Sequence, residues 1–165
     1  MSVIKNGYPS FAELKDSPGV PSDGRMEQGP VAFIECVQNI PCDPCAWVCP
    51  CEAIHVGEDI TALPRLIEER CKGCGICIAA CPGQAIFLVH INFSETEALI
   101  TFPYEFVPFP QEGDIVTGVN REGAPVTTGR VIKVGMGKAL DGTAVISLAV
   151  PKKFALHVRN ILIES

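Results

Sequence analysis

An α+β fold is what this sequence predicts: a cysteine-bearing module built from two similar halves, then a small C-terminal antiparallel β-sheet or β-barrel domain. Three observations carry that expectation. Two cysteine groups each end in Cys-Pro, two further residues and Ala-Ile, which is an internal repeat. The last third of the chain is rich in Val, Ile and Thr, broken by glycine turns. Hydrophobic content of 47% with 19% charged residues describes a folded chain, while 15 Gly and 14 Pro make it loop-rich.

The elements follow in order. Residues 1–30 hold four prolines and four glycines and read as an extended arm, with one short helix set by the capping-box pattern Ser10-Phe11-Ala12-Glu13. Such an arm cannot bury a core alone, so it lies across this protein or a neighbour, or stays mobile. Residues 31–106 form the cysteine module. Val31 to Glu35 is its first strand, and short helices should follow Cys45 and Gly75. Phe87 to Phe93 and Ala98 to Tyr104 read as a hairpin around Ser94-Glu95-Thr96-Glu97 that extends the module's sheet. Phe106-Val107-Pro108-Phe109-Pro110 reads as a stiff linker, an edge strand being the alternative. Residues 107–165 form the β-rich domain, from Asp114 to Asn120, Pro125 to Val134 and Thr143 to Val150, with turns at Arg121-Glu122-Gly123 and Lys138-Ala139-Leu140-Asp141-Gly142. The tail from Lys152 should give a short helix and a final strand.

The chemistry lies in Cys71, Cys74, Cys77, Cys81 and Pro82, which spell C-x2-C-x2-C-x3-C-P. In this spacing a loop and one helical turn hold three thiolates on one iron–sulfur cluster, and the fourth reaches a second cluster. A second group is therefore required, and Cys36, Cys42, Cys45 and Cys49, followed by Pro50, supply it. A zinc site would use paired cysteines and four ligands to one ion, leaving a middle cysteine of the run surplus and the Cys-Pro without a role. Nine cysteines with no export signal favour metal or redox chemistry over disulfides. Eight serve two clusters, and Cys51 is the odd thiol, read as a small buried hydrophobe.

On CDPCAWVCPCEAI (residues 42–54) and CKGCGICIAACPGQAI (residues 71–86) the chain resembles a two-cluster bacterial-type 4Fe-4S ferredoxin over roughly residues 31–91. The resemblance implies a module with pseudo-twofold symmetry and two 4Fe-4S clusters, one held by Cys71, Cys74, Cys77 and Cys49, the other by Cys42, Cys45, Cys81 and Cys36. The first group departs from the family pattern, because Cys36 precedes Cys42 by six positions where the family has three. A longer loop costs little entropy and Pro41 stiffens it, so Cys36 can still serve. Cys51 as the ligand, a three-iron cluster, or no cluster at that site are the alternatives. Gly73 and Gly75 allow close backbone approach to an inorganic core. Trp47, inside the first group, either shields a cluster or packs as an ordinary aromatic. The scattered His55, His90 and His157 read as structural.

Charge and hydropathy narrow the function further. No apolar run approaches the roughly 20 residues of a membrane helix, and the opening residues show no export pattern, so a cytoplasmic protein without a membrane partner is expected. The C-terminal part, with seven acidic and seven basic residues from position 96 onward, carries no nucleic-acid footprint. It also lacks a phosphate loop, a nucleophile triad or a paired acid and base. Between residues 31 and 95 eight acidic residues face three basic ones, which favours a low potential and a positively charged docking surface on a partner, or is merely a solvated acidic face. The expectation is a non-catalytic electron-transfer component of an oxidoreductase complex. The resemblance implies flavoprotein dehydrogenase subunits as partners in a hetero-oligomer, including enzymes acting on amino acids and other amines. A free soluble ferredoxin with an added domain and a zinc-binding structural module are the competing readings.

Overall fold

The computed structural model describes residues 2–136, 140 and 142–163. Along the chain run α1 (Ser2–Asn6), α2 (Phe11–Lys15), α3 (Asp23–Gln28), β1 (Val31–Ile34), α4 (Pro44–Trp47), β2 (Ile54–His55) and β3 (Arg65–Leu66). Then follow α5 (Ile76–Ala80), β4 (Ile86–His90), β5 (Glu97–Tyr104), β6 (Ile115–Val119), β7 (Pro125–Gly135), β8 (Ala144–Pro151), a 3-10 turn at Lys152–Phe154 and β9 (Asn160–Leu162). Seven of the strands form one antiparallel sheet in the order β1-β4-β5-β8-β7-β6-β9, and β2 pairs with β3 alone.

This sheet corrects the expected fold class. The molecule is mostly β, its longest described helix has six residues, and the described C-terminal strands form no separate sheet or barrel. Strand β8 instead enters between β5 and β7, with partners running from Glu97↔Pro151 to Tyr104↔Ala144. The reason is burial. Both β5 and β8 are buried along most of their length, so neither can serve as a water-facing edge. Nor does the cysteine module show pseudo-twofold symmetry: β1 and β4 share four residue pairs inside the large sheet, whereas β2 and β3 share two outside it.

Strand alternation then sorts the core. Val31 and Phe33 of β1, with Phe87 and Val89 of β4, face the main core of the sheet. Their neighbours Ala32, Ile34, Ile86 and Leu88 face the opposite way, into a second cluster with Cys45, Cys77, Ile54 and Ile78. The β1–β4 pair is thus a wall with the hydrophobic core on one side and the cysteine loops on the other.

The arm lies across this wall. Ser10 caps α2 as the sequence predicts, its hydroxyl accepting from the Glu13 amide while the Glu13 carboxylate accepts from the Ser10 amide. Leu14 and Met26 are buried in the main core. The expected extended course for the rest of the arm gives way to α1 and α3, the latter capped by Ser22. Gly19 passes so close to β1 that an added Cβ would stand 2.7 Å from Ile34 Cβ, and its carbonyl accepts from the Ile34 amide.

The predicted linker at residues 106–110 is exposed except at Pro110. The turn predicted at residues 138–142 falls partly outside the described residues. At the far end of β1, Glu35 accepts from Arg121, just after β6, and from Arg159, just before β9. This ion triad joins the two edges of the curled sheet, and all three side chains are nearly enclosed.

Candidate metal centre

Two loops and two short helices deliver the cysteines to the outer side of the β1–β4 wall. Helix α4 begins at Pro44, whose fixed φ suits a first turn, and carries Cys45 into the second cluster of buried residues. Helix α5 begins after Gly75, at φ +80°, and carries Cys77. The thiols gather around two hollows. Cys36, Cys42, Cys45 and Cys81 line one, between Ile34, Ile40 and Ile86. Cys49, Cys71, Cys74 and Cys77 line the other, with Cys51, Ala32, Ile54 and Leu88. The last thiol of each run therefore stands with the other run's first three.

Cys36 reaches its hollow despite the long interval to Cys42. The triad at Glu35 fixes the chain just before it, and the added residues fold onto the segment at residues 60–61: Asn39 Nδ2 donates to the Thr61 carbonyl at 3.0 Å, and the Cys42 amide to the Ile60 carbonyl at 3.3 Å. Cys51 stands at the opposite hollow, on the wrong side to complete the first set, and is half-buried rather than buried.

The repeat Cys-Pro-x-x-Ala has a backbone reason that sequence reading missed. The Ala53 amide donates to Cys49 Sγ at 3.2 Å, and the Ala85 amide to Cys81 Sγ at 3.4 Å, each four residues downstream. In both cases the residue before the alanine, Glu52 at φ +48° or Gln84 at φ +50°, takes the left-handed conformation that turns the chain back toward the sulfur. A third amide, from Ala32 in β1, donates to Cys71 Sγ at 3.4 Å. Gly73, at φ +64°, meets the arm so closely that an added Cβ would stand 2.4 Å from the Pro30 carbonyl oxygen.

Burial pushes the Cys77 thiol up to about 12, with Cys71, Cys74 and Cys49 adding repulsion between thiolates. Burial likewise raises Cys45 to about 11, with Cys81 and Cys42 contributing, and raises Cys36 and Cys42. Thiols that suppress one another's ionisation become stable thiolates once a cationic core lies among them, because binding metal releases their protons. The donor sets fit a polynuclear core. Among the described residues no three His, Cys, Asp or Glu side chains are grouped as one metal ion requires. The thiols instead line two separate concavities, four from the crossed sets at each.

Other side chains have parts the sequence did not reveal. Arg25 of the arm donates Nη2 to the Cys71 carbonyl at 2.6 Å and Nε to the Glu68 carbonyl at 3.1 Å, clamping the loop before the second run. Ser22, adjoining Asp23 as a helix-capping pair, is a local signal for that segment, but Gly24 inside the helix masks it. Trp47 neither shields a hollow nor packs: it is 82% exposed, with Nε1 donating to Asp43 Oδ2 at 2.9 Å. The histidines stand apart from both hollows, His157 stacking on Phe11, His90 edge-on to Phe93 and His55 exposed beside the Glu52 carbonyl. No described helix is long and apolar enough to cross a membrane.

Comparison with known proteins bears on the same segment. The family model for the LdpA Fe-S cluster-binding domain matches residues 36–91. One component of the Na(+)-translocating ferredoxin:NAD(+) oxidoreductase complex of Acetobacterium woodii is 47% identical over 45 residues, 27% of this chain and 13% of that protein. An uncharacterized ferredoxin of Methanocaldococcus jannaschii is 44% identical over 45 residues, 27% of this chain and 28% of that one. The polyferredoxin-like subunit of an aliphatic sulfonate oxidoreductase from Pyrococcus furiosus is 45% identical over 49 residues, 30% of this chain and 27% of that one. The chain thus spans less than a third of the length of these relatives. No solved structure matches it. Donor chemistry and likeness agree: residues 36–91 are similar to an iron–sulfur cluster-binding domain and to ferredoxin-like proteins, and their thiols suit an iron–sulfur centre.

Proposed function

We propose that this chain holds two 4Fe-4S clusters and relays single electrons as a non-catalytic, cytoplasmic subunit of a multisubunit flavin-dependent oxidoreductase, such as an amino-acid or amine dehydrogenase. The observation that carries the reading is the division of eight cysteines into two sets of four around separate hollows, each completed by a thiol from the other run. Bound there, each cluster would supply a one-electron centre whose charge changes with little ligand movement. Cys71, Cys74, Cys77 and Cys49 would hold one, and Cys36, Cys42, Cys45 and Cys81 the other.

The remaining residues act on those sulfurs. Amides of Ala32, Ala53 and Ala85 stabilise negative charge on Cys71, Cys49 and Cys81. Ile34, Ile54, Ile86 and Leu88 keep water from the inner side. The subunit role draws support from relatives whose names place them in oxidoreductase complexes. Anaerobic purification from the native source tests it: the expected outcome is stable co-purification with a flavoprotein, and elution alone at the monomer mass would contradict the subunit reading.

A further inference from the structure

Where the curled sheet leaves the β9 edge facing the end of β1, a cavity of about 540 Å³ opens, separate from the two hollows but sharing Cys36 in its wall. Its size lies within the roughly 300–1,000 Å³ common for small-molecule sites. Tyr8, Val37, Phe87, Phe106 and Ile161 give it apolar walls. Arg121 and Arg159 give it a cationic floor, because the two guanidinium groups share the single carboxylate of Glu35.

That floor has unspent capacity. Each guanidinium carries five N–H donors. Arg121 donates Nε and Nη2 to Glu35 and Nη1 to the Leu156 carbonyl. Arg159 donates Nε to Glu35 and Nη1 to the Ala155 and Val158 carbonyls, which leaves its buried Nη2 without a partner among the described residues. The rings of Phe33 and Phe87 lie 5.0 Å from the Arg159 guanidinium carbon and hold the cation without accepting its hydrogen bonds. Glu122, next to Arg121 in sequence, is already engaged by the Tyr8 side chain. The triad of Glu35, Arg121 and Arg159 by itself thus carries one net positive charge, largely enclosed and beside apolar walls, which favours an anion with an apolar body.

We propose that this cavity binds a small amphipathic monocarboxylate, its carboxylate on Arg121 and Arg159 and its apolar part against Phe106, Val37 and Ile161. Such a ligand stands beside Cys36 and the Gly83–Ala85 turn that follows Cys81, so its presence reaches two positions of the first cysteine set. The inference goes beyond the electron-transfer reading and does not rest on it, since binding is measured by itself.

The test uses the full, iron–sulfur-loaded chain and octanoate as probe, with octanol as the neutral control, in isothermal titration calorimetry. The expected result is saturable one-to-one binding of octanoate, about ten-fold tighter than octanol, the equivalent of one charge-assisted contact. Arg121→Gln should weaken octanoate about ten-fold and leave octanol unchanged. Should that variant fail to fold, Phe106→Ala, on the exposed rim, should weaken both probes several-fold with an unchanged melting midpoint. Equal affinity for octanoate and octanol, absence of saturable binding, or octanoate affinity unmoved by Phe106→Ala would each overturn the proposal.

Discussion

At Cys81 chain order and spatial order part company, since it ends the second run yet lines the hollow of the first. Cys81→Ala is therefore expected to remove about four irons per chain and leave the other set of four thiols loaded. Iron content with electron paramagnetic resonance checks this, and a variant that loses both signals, or neither, would contradict the crossed arrangement. A second residue-scale prediction follows from the raised thiols. In the metal-free chain Cys77 and Cys45 ionise near 12 and 11 against an ordinary 9.0, so above pH 9 the unfolded chain gives up its protons first. Their contribution to stability is intact below about pH 9 and falls as pH rises toward 11–12. Urea midpoints at about pH 8 and about pH 10.5 should fall for the metal-free chain by more than for the loaded one, whose thiolates are already formed. The cysteines themselves were legible because their spacing is local chemistry. The left-handed turns at Glu52 and Gln84 were not, since neither residue type announces a positive φ.

Strand β1 is the element on which site and core both depend, with alternate residues facing each and its end tied by Glu35 to Arg121 and Arg159. Glu35→Gln keeps the shape but leaves two enclosed guanidinium groups without their carboxylate, and is expected to cost about 3–5 kcal/mol, read as a lower denaturant midpoint. Loss of the cluster proposed for the first set should accompany it, because Cys36 follows directly. A variant as stable as the parent would show that the triad contributes nothing. Among elements, the capping box of α2 and the β4–β5 hairpin could be read from the sequence because their signals span a few residues. Helix α3 could not, with Gly24 inside it weakening the pattern. The insertion of β8 beside β5 could not either. Both runs carry strand composition, but their pairing spans some forty residues of sequence and is decided by mutual burial, not by local preference.

For the whole molecule, one continuous sheet presents a cysteine-bearing face, and the arm, fastened by Arg25 and Ser22 to the Glu68–Cys71 segment, completes it. The separate C-terminal domain expected from composition dissolves into that sheet, because a two-layer core needs the strands of both segments. The central proposal is two polynuclear centres held side by side, and quantifying iron, acid-labile sulfide and zinc on anaerobically purified protein tests it most directly. About eight irons with matching sulfide per chain and no zinc are predicted. Zinc without sulfide, or about four irons in the unaltered chain, would contradict the two-centre arrangement.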